Sequence, residues 1–178
     1  HDPGMSPLIH GAVGWLIGHR HPDKRVRVTT AVAAVIPDVD GVGLVVSEDL
    51  YVQWHHKLCH GAAFAVVVAV LAAFVCRRHK PLHAALLALA AYHSHIVMDL
   101  MGSGPGWPIL YWWPWSSTEW LPSWQWDLAS WQNAVFGFVT IVLCLACALT
   151  VRRTPVEVFS ARADAAVVEA IRQRCRRR

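Results

Sequence analysis

Charged residues are scarce in this sequence, and the cysteine framework of a small secreted domain is missing from it. Only 16% of the 178 residues are charged and 55% are hydrophobic, a balance unlike that of a soluble domain of this length. The five cysteines, at positions 59, 76, 144, 147 and 175, are scattered, and three of them lie inside apolar runs. The composition therefore favours a membrane protein without disulfides.

Two further absences narrow the class of protein. The basic residues occur in short clusters beside apolar segments and at the C-terminus, without the interleaved aromatic residues of a nucleic-acid-binding surface, so we expect no nucleic-acid partner. The first apolar stretch has no preceding basic region and no small-residue cleavage site, so we expect no removed signal peptide. Residues 1–4 resemble the remnant of an expression tag, and we expect Met5 to be the natural start.

Five apolar segments predict an all-α, polytopic membrane bundle of spanning or half-spanning helices. The last has eighteen residues without a charge, enough to cross about 30 Å of hydrocarbon. The first is short, and the second is broken by Pro37-Asp38-Val39-Asp40-Gly41. Because polar breaks at membrane depth are tolerated only where protein or water surrounds them, these two segments suggest a functional cavity. The segments are residues 8–18, 28–46, 60–76, 82–101 and 134–151.

The positions of Lys and Arg predict the orientation of the bundle. They cluster between segments one and two, between three and four, and after five, and cytoplasmic loops carry the excess of positive charge. On that assignment only Lys57, of sixteen Lys and Arg residues, faces outward. We therefore expect a multi-pass protein of a bacterial-type inner membrane, with membrane lipids as partners and a cytoplasmic C-terminus.

Residues 5–153 are expected to form the membrane-embedded domain, and residues 154–178 a separate cytoplasmic helix. Thr154-Pro155-Val156-Glu157 has the form of a capping box with proline at the first helical position. Apolar residues then recur at helical spacing, and the tail ends in arginines. Such a basic amphipathic helix either lies on anionic lipid headgroups or packs, solvated, on the cytoplasmic loops.

Eight of the ten tryptophans fall between Trp107 and Trp131, in the outward loop of residues 102–133. Tryptophan favours the membrane interface because its ring is amphipathic. We expect this loop to form a partly embedded cap, in preference to a surface that stacks on substrate.

Histidines and aspartates approach the outward ends of four segments, although the orientation was derived from Lys and Arg alone. His56 and His60 are four residues apart, as are His95 and Asp99. If these residues are helical, each pair shares a helix face and can bind one ion. Imidazole with carboxylate suits zinc, manganese or iron, and the lack of a thiolate cluster argues against a structural zinc site. We expect one to three divalent ions, zinc first. The candidate ligands are His10, Asp38, Asp40, His55, His56, His60, His95 and Asp99.

Other interpretations remain open for several of these residues. Asp38 and Asp40 could cap a helical turn, and His95 with Asp99 could be a structural ion pair. His93 lies two residues from His95 and would point to a different helix face. Four histidines near the cytoplasmic side are interpreted as structural: His19, His21, His79 and His83.

The order of these blocks resembles a known family. Ile36-Pro37-Asp38-Val39-Asp40, His55-His56-Lys57-Leu58-Cys59-His60-Gly61, Tyr92-His93-Ser94-His95-Ile96-Val97-Met98-Asp99 and the step Trp113-Pro114 are similar to motifs of the YdjM-like membrane-bound metal-dependent hydrolases. The resemblance covers roughly residues 8–115. Lys57, Cys59 and Gly61 depart from the commoner pattern, which leaves open whether His55 or His56 is a ligand.

The family is more distantly similar to zinc-dependent phospholipase C and P1-type nucleases, in which the ligands come in the order His, Asp, His, then His-x-x-x-Asp. His10, Asp38 or Asp40, His60, and His95 with Asp99 follow that order. The resemblance implies that Asp99 bridges two ions.

These observations predict a metal-dependent hydrolase that cleaves a phosphoester of a lipid or lipid-linked molecule at the outer face. Asp38 or Asp40 would take the proton of the attacking water. The rival hypotheses are a metal or proton carrier, a metal-binding protein without catalysis, and a haem-binding anchor. A carrier would need polar residues that continue to the cytoplasmic face, and residues 82–91 are almost entirely apolar. Three aspartates at the same depth would be unusual around haem.

Overall fold

The computed structural model describes residues 6–78 and 80–176, and this part of the chain is helical. The predictions for His1, Met5 and His79 lie outside the described residues. Within those residues the only strand-like pairing is one antiparallel bridge between Ile109 and Trp120. In chain order the elements are α1 (Pro7–Gly18), α2 (Lys24–Ala33), a first 3₁₀ helix (Ile36–Val45), α3 (Glu48–Trp54), α4 (Ala62–Val75), α5 (Pro81–Gly102), α6 (Trp131–Thr150), a second 3₁₀ helix (Pro155–Val158) and α7 (Ala161–Arg176).

The predicted all-α membrane bundle is confirmed. By length and composition, α5 and α6 can cross a membrane, and α2 with the first 3₁₀ helix forms a third candidate span, bent by 47°. The shorter apolar helices α1 and α4 correspond to the other two predicted segments. Helix α6 is mostly exposed, as expected for a helix that packs one narrow stripe on the bundle and turns the rest toward lipid.

The break in the second segment is also confirmed, and it lies slightly earlier than Pro37. Helix α2 ends at Ala33, and the first 3₁₀ helix begins at Ile36 with Pro37 in its first turn. Proline has no backbone N–H to continue an α-helix, and it disfavours the α conformation of the residue before it. The chain therefore bends at residues 34–35 and continues as a tighter helix that carries Asp38 and Asp40.

Small residues let the helices approach closely. A Cβ atom on Gly14 of α1 would lie 2.4 Å from the Cβ of Ala34, just after α2, and 2.9 Å from the carbonyl oxygen of Thr30. Alanines also fill the contact between α4 and α5, including Ala65 and Ala88. Tight backbone packing of this kind replaces the hydrophobic driving force that helices lack in lipid.

Half of the capping box predicted at Thr154 is present. Thr154 caps the second 3₁₀ helix, its hydroxyl oxygen accepts from the backbone N–H of Val156 at 3.2 Å, and Pro155 lies in the first turn, but the predicted contact from Glu157 is missing. The backbone N–H and hydroxyl of Thr154 donate to Asp164, at 2.8 and 2.6 Å, and only a short 3₁₀ helix follows before α7 begins at Ala161. Glu157 accepts hydrogen bonds from Arg27, at 2.6 and 2.7 Å, and from Trp15 at 2.8 Å. A buried glutamate is held by its cationic partner, so it does not reach back to cap the helix.

Helix α7 packs beside α6. Val167 and Ile171 share an apolar groove with Ile141 and Leu145 of α6. Asp164 and Val168 are buried against the bundle. The C-terminal segment therefore contacts a long apolar helix as well as the second 3₁₀ helix.

Candidate metal centre

The predicted ligands converge at one end of the bundle, where α1 begins and α5 ends. Two groups of donor atoms each lie within 4.8 Å of one another, and His60 belongs to both. His10 completes the cluster: its Nε2 atom lies 3.4 Å from Asp99 Oδ1, and its ring stacks 4.0 Å from that of His95. The first group is Asp38, His60, His95 and Asp99, and the second is His55, His56 and His60.

The Nε2 atoms of His60 and His95 face each other in the middle of the cluster. His60 Nδ1 donates to Asp40 Oδ2 at 2.9 Å, and His95 Nδ1 donates to the carbonyl oxygen of Ala34 at 2.8 Å. A neutral imidazole carries one N–H, so both Nε2 atoms present lone pairs. These two atoms are 3.2 Å apart, and Asp99 Oδ2 lies 3.3 Å from the first and 2.8 Å from the second. Three donor atoms that meet in this way could hold a metal ion between them.

Unpartnered polar atoms point to the same conclusion. Both ring nitrogens of His10, Nδ1 of His56, and one oxygen each of Asp38 and Asp99 are buried and have no hydrogen-bond partner. Buried polar atoms are almost always paired because an unpaired one is costly in free energy. Imidazole and carboxylate donors suit a divalent ion such as zinc, so the residues present fit the predicted metal.

Asp40 lies behind the cluster and orients two of its histidines. Its Oδ1 accepts from His55 Nδ1 at 2.8 Å, while its Oδ2 accepts from His60 Nδ1 and from the backbone N–H of Cys59 at 3.1 Å. Both oxygens are thus engaged, and Asp40 belongs to neither group of converging donors. A carboxylate that accepts Nδ1–H from a metal-binding histidine fixes which ring nitrogen is free to bind.

Asp38 is the most accessible acid of the cluster. Its Oδ1 atom lies 3.5 Å from His95 Nε2, and 24% of its side chain is exposed, against 3% for Asp99. The adjacent acids of the first 3₁₀ helix therefore differ in environment. Asp40 is sequestered by hydrogen bonds, whereas about a quarter of the Asp38 side chain is exposed.

The expectation that His56 and His60 share a helix face is wrong. Helix α3 ends at Trp54, α4 begins at Ala62, and His56 has a φ of 63°, which an α-helix does not allow. The turn still brings the two rings together, with centroids 4.7 Å apart. Burial and the neighbouring His60 lower the pKa of His56 to about 3, so its imidazole is neutral, the form that binds metals. His95 and Asp99, by contrast, do share a face of α5, as predicted.

The loop that carries His60 is held by residues that the sequence did not single out. The hydroxyl of Tyr92 lies 2.9 Å from the carbonyl oxygens of both Cys59 and Gly61, on either side of His60. Tyr92 stood inside a quoted motif, but its role became visible only when α5 was placed beside the loop.

The tryptophan-rich loop also supports the centre. Gln125 is buried and donates to the carbonyl oxygens of Asp99, at 3.2 Å, and of Trp107, at 3.3 Å. The Trp107 ring lies 6.0 Å from that of His55 and 5.8 Å from that of His56. No spacing pattern indicates these contacts, because they depend on how an irregular loop folds back over the bundle.

The remaining described histidines lie outside both groups. His93 donates from Nδ1 to the carbonyl oxygen of Leu89 and contacts the Tyr111 hydroxyl through Nε2, both at 2.8 Å, so it does face away from His95. His21 and His83 pack against each other, with centroids 5.2 Å apart. His19 contacts the carbonyl oxygen of Leu16.

Comparison with known proteins gives one match. No curated protein and no solved structure matches the chain. The family model described as "YdjM inner membrane protein" matches residues 5–165, which is most of the sequence and includes every residue of the centre. The chain, with its apolar helical bundle, belongs to the YdjM inner membrane protein family.

Proposed function

We propose that this protein is a membrane-bound, metal-dependent hydrolase that cleaves a phosphoester of a lipid or lipid-linked substrate. The observation that carries the proposal is the convergence of His60 Nε2, His95 Nε2 and Asp99 Oδ2, which lie within 3.3 Å of one another. A bound divalent ion, with zinc preferred over manganese or iron, would polarise a phosphoryl oxygen and lower the pKa of a water to near neutrality. His10, His56 and Asp38 offer the further donor atoms that a second ion would need.

Three residues around the metal centre have distinct roles in the proposed reaction. Asp40 holds His55 and His60 with their Nε2 atoms free. Asp38 is the most exposed of the three acids, so we assign to it the acceptance of the proton from the attacking water. Trp107 covers His55 and His56 and limits the entry of bulk water.

The lipid substrate is inferred from position. The centre lies at the end of the bundle opposite the start of α2, which carries Lys24, Arg25 and Arg27, and the positive-inside rule assigns the end that holds the centre to the outer face. Exposed tryptophans surround the loop beside it, including Trp112, Trp115 and Trp124, and would place this loop at the headgroup level. A phosphoester at the membrane surface is within reach of such a site.

A carrier function is less favoured by the bundle interior. Along α5, the residues between the centre and the opposite end are Ala84, Ala88 and Ala91, each buried in the apolar core. A proton or ion pathway would need polar side chains along this route. Hydrolysis at one face needs none.

The test combines metal analysis with turnover. Purified wild-type protein should contain a divalent ion and hydrolyse bis-p-nitrophenyl phosphate or short-chain phospholipids in the presence of zinc, manganese or iron. His95→Ala and Asp99→Ala should lose metal and turnover together, while His83→Ala, an exposed histidine on the same helix, should lose neither. Full activity in a metal-free His95→Ala protein would contradict the proposal. A metal-loaded wild type that hydrolyses none of the phosphoesters tried would contradict it as well.

A further inference from the structure

A cavity of about 580 Å³ opens beside the metal centre. It lies between the turn that joins α3 to α4 and the tryptophan-rich loop. His55 lines the cavity and also belongs to the second donor group, so the cavity and the centre share a wall. The other lining residues that matter here are Trp54, Lys57, Trp107, Trp113 and Glu119.

Lys57 gives this cavity a positive charge that its surroundings lack. It is the only Lys or Arg between residues 28 and 76, and residues 81–151 contain none. Its ammonium group lies 5.9 Å from the centre of the Trp113 ring, a distance that permits a cation–π contact. Among the residues that the structure describes, no carboxylate forms a salt bridge with Lys57. The charge is therefore held by an aromatic ring and stays available to a ligand.

Trp107 connects the cavity to the histidines. Its ring packs on His55 and His56 and forms part of the cavity wall. A group bound in the cavity would therefore lie against the ring of His55, next to the donor atoms. The one acidic residue of the wall, Glu119, is exposed.

We infer that this cavity binds the phosphate-bearing polar group of the substrate and that Lys57 is the residue that pairs with its negative charge. The inference rests on the proposed function, because it places the anion of a phosphoester next to the metal ligands. A single cation in a partly enclosed cavity attracts an anion more strongly than it would in open solvent. Glu119 opposes the binding of that anion.

Binding is measured directly, without turnover. Zinc-loaded protein in detergent is titrated by calorimetry with inorganic phosphate, with dihexanoyl phosphatidic acid and with dihexanoylglycerol, and the metal content of each sample is determined. Lys57→Met should raise the Kd for both phosphate compounds about tenfold, the loss expected for one charge-assisted contact. Lys57→Arg should retain most of the affinity, and Glu119→Gln should lower the Kd. Lys24→Met, an exposed lysine of α2, serves as the control and should leave the Kd unchanged.

The outcomes separate this inference from the hydrolase proposal. Tighter binding of phosphatidic acid than of phosphate would identify a lipid headgroup as the ligand, and equal binding would identify the phosphate group alone. The inference is overturned if Lys57→Met binds phosphate as tightly as the wild type does, or if the Lys57→Met protein loses its metal. It is also overturned if the wild type binds dihexanoylglycerol, which has no phosphate, as tightly as it binds phosphatidic acid. Phosphate binding that depends on Lys57, without hydrolysis of any phosphoester, would support the inference that the cavity binds an anion. It would contradict only the proposed hydrolase activity.

Discussion

The replacement of Asp40 by asparagine tests how the centre is oriented. The amide of asparagine offers one oxygen acceptor and one NH₂ donor, whereas the carboxylate accepts from three donors. The Oδ2 position receives two of them, from His60 and from the Cys59 backbone, so the amide oxygen will occupy that side. The NH₂ group then faces His55 Nδ1. That ring must accept there and carry its proton on Nε2, which disqualifies Nε2 as a donor to a metal.

The size of the expected loss in metal affinity depends on how many histidine ligands each substitution affects. Loss of a group that orients a metal ligand lowers metal affinity about 10- to 100-fold, or roughly 1.4 to 2.7 kcal/mol. We expect about tenfold for Asp40→Asn, which disturbs His55 alone, and about 100-fold for Asp40→Ala, which frees both His55 and His60. Competition with a chelator of known zinc affinity measures each value. Asp127→Asn, an exposed residue of the tryptophan-rich loop, is the control and should leave the affinity unchanged.

A double-mutant cycle locates the effect. If Asp40→Asn acts through His55, its cost should vanish in a His55→Ala background, because the affected ligand is already absent. Additive losses would refute this reasoning and indicate that Asp40 itself binds the ion. Unchanged affinity in Asp40→Asn would refute it more simply, since neither orientation nor direct binding by Asp40 would then contribute.

Two further predictions concern the scaffold. Gly14→Ala should destabilise the protein by about 1 to 3 kcal/mol, since the new methyl group collides with residues after and within α2; thermal unfolding in detergent measures this. Glu157→Gln removes the negative charge that neutralises the buried Arg27 and should cost about 3 to 5 kcal/mol at neutral pH. Burial opposes ionisation of Glu157, yet hydrogen bonds from Arg27 and Trp15 hold its pKa below the ordinary 4.5. The pair therefore contributes fully above pH 4.5, and its contribution is lost as the pH falls through the folded pKa.

Each scaffold prediction has a matched comparison. Gly137→Ala on α6 adds a methyl group that meets only Ile9 at an ordinary 3.7 Å, so it should leave the unfolding temperature nearly unchanged. Equal destabilisation at Gly14 and Gly137 would contradict the packing argument. For Glu157, the stability difference between wild type and Glu157→Gln should shrink below pH 4.5; a difference independent of pH would show that the lost interaction is not ionic.

The sequence predicted the apolar helices and the convergence of His and Asp side chains because both depend on residue type and order. Apolar length marks α5 and α6, and an ionisable residue inside a membrane segment is a functional candidate by default, which marks Asp38 and Asp99. The spacing of His95 and Asp99 was sufficient because α5 is regular through both residues. The same argument failed at His56. The positive φ of this residue is incompatible with an α-helix, and His56 and His60 come together through a turn.

The sequence pattern could not predict hydrogen bonds between residues that are far apart in the chain. The partner of Glu157 is Arg27, 130 positions away, and a local capping box was the only interpretation that the neighbourhood of Thr154 offered. Asp40 illustrates the same limit at the site. Its spacing marks it as one of two equivalent carboxylates, and only the contacts with His55 and His60 distinguish Asp40, which orients histidines, from Asp38, which belongs to a group of converging donors.

Charge balance gives the strongest reason to place a divalent ion here rather than a network of shared protons. Three carboxylates lie in or beside the cluster, and in a low-dielectric interior their charge must be neutralised. Protons alone would have to sit on imidazole nitrogens, yet His60 and His95 point their Nε2 atoms at each other, 3.2 Å apart. The two atoms can share one proton, whereas protonating both would set two positive charges face to face. A divalent ion would bring both charges at once and turn each lone pair into a bond, which is why we propose a metal in this cluster.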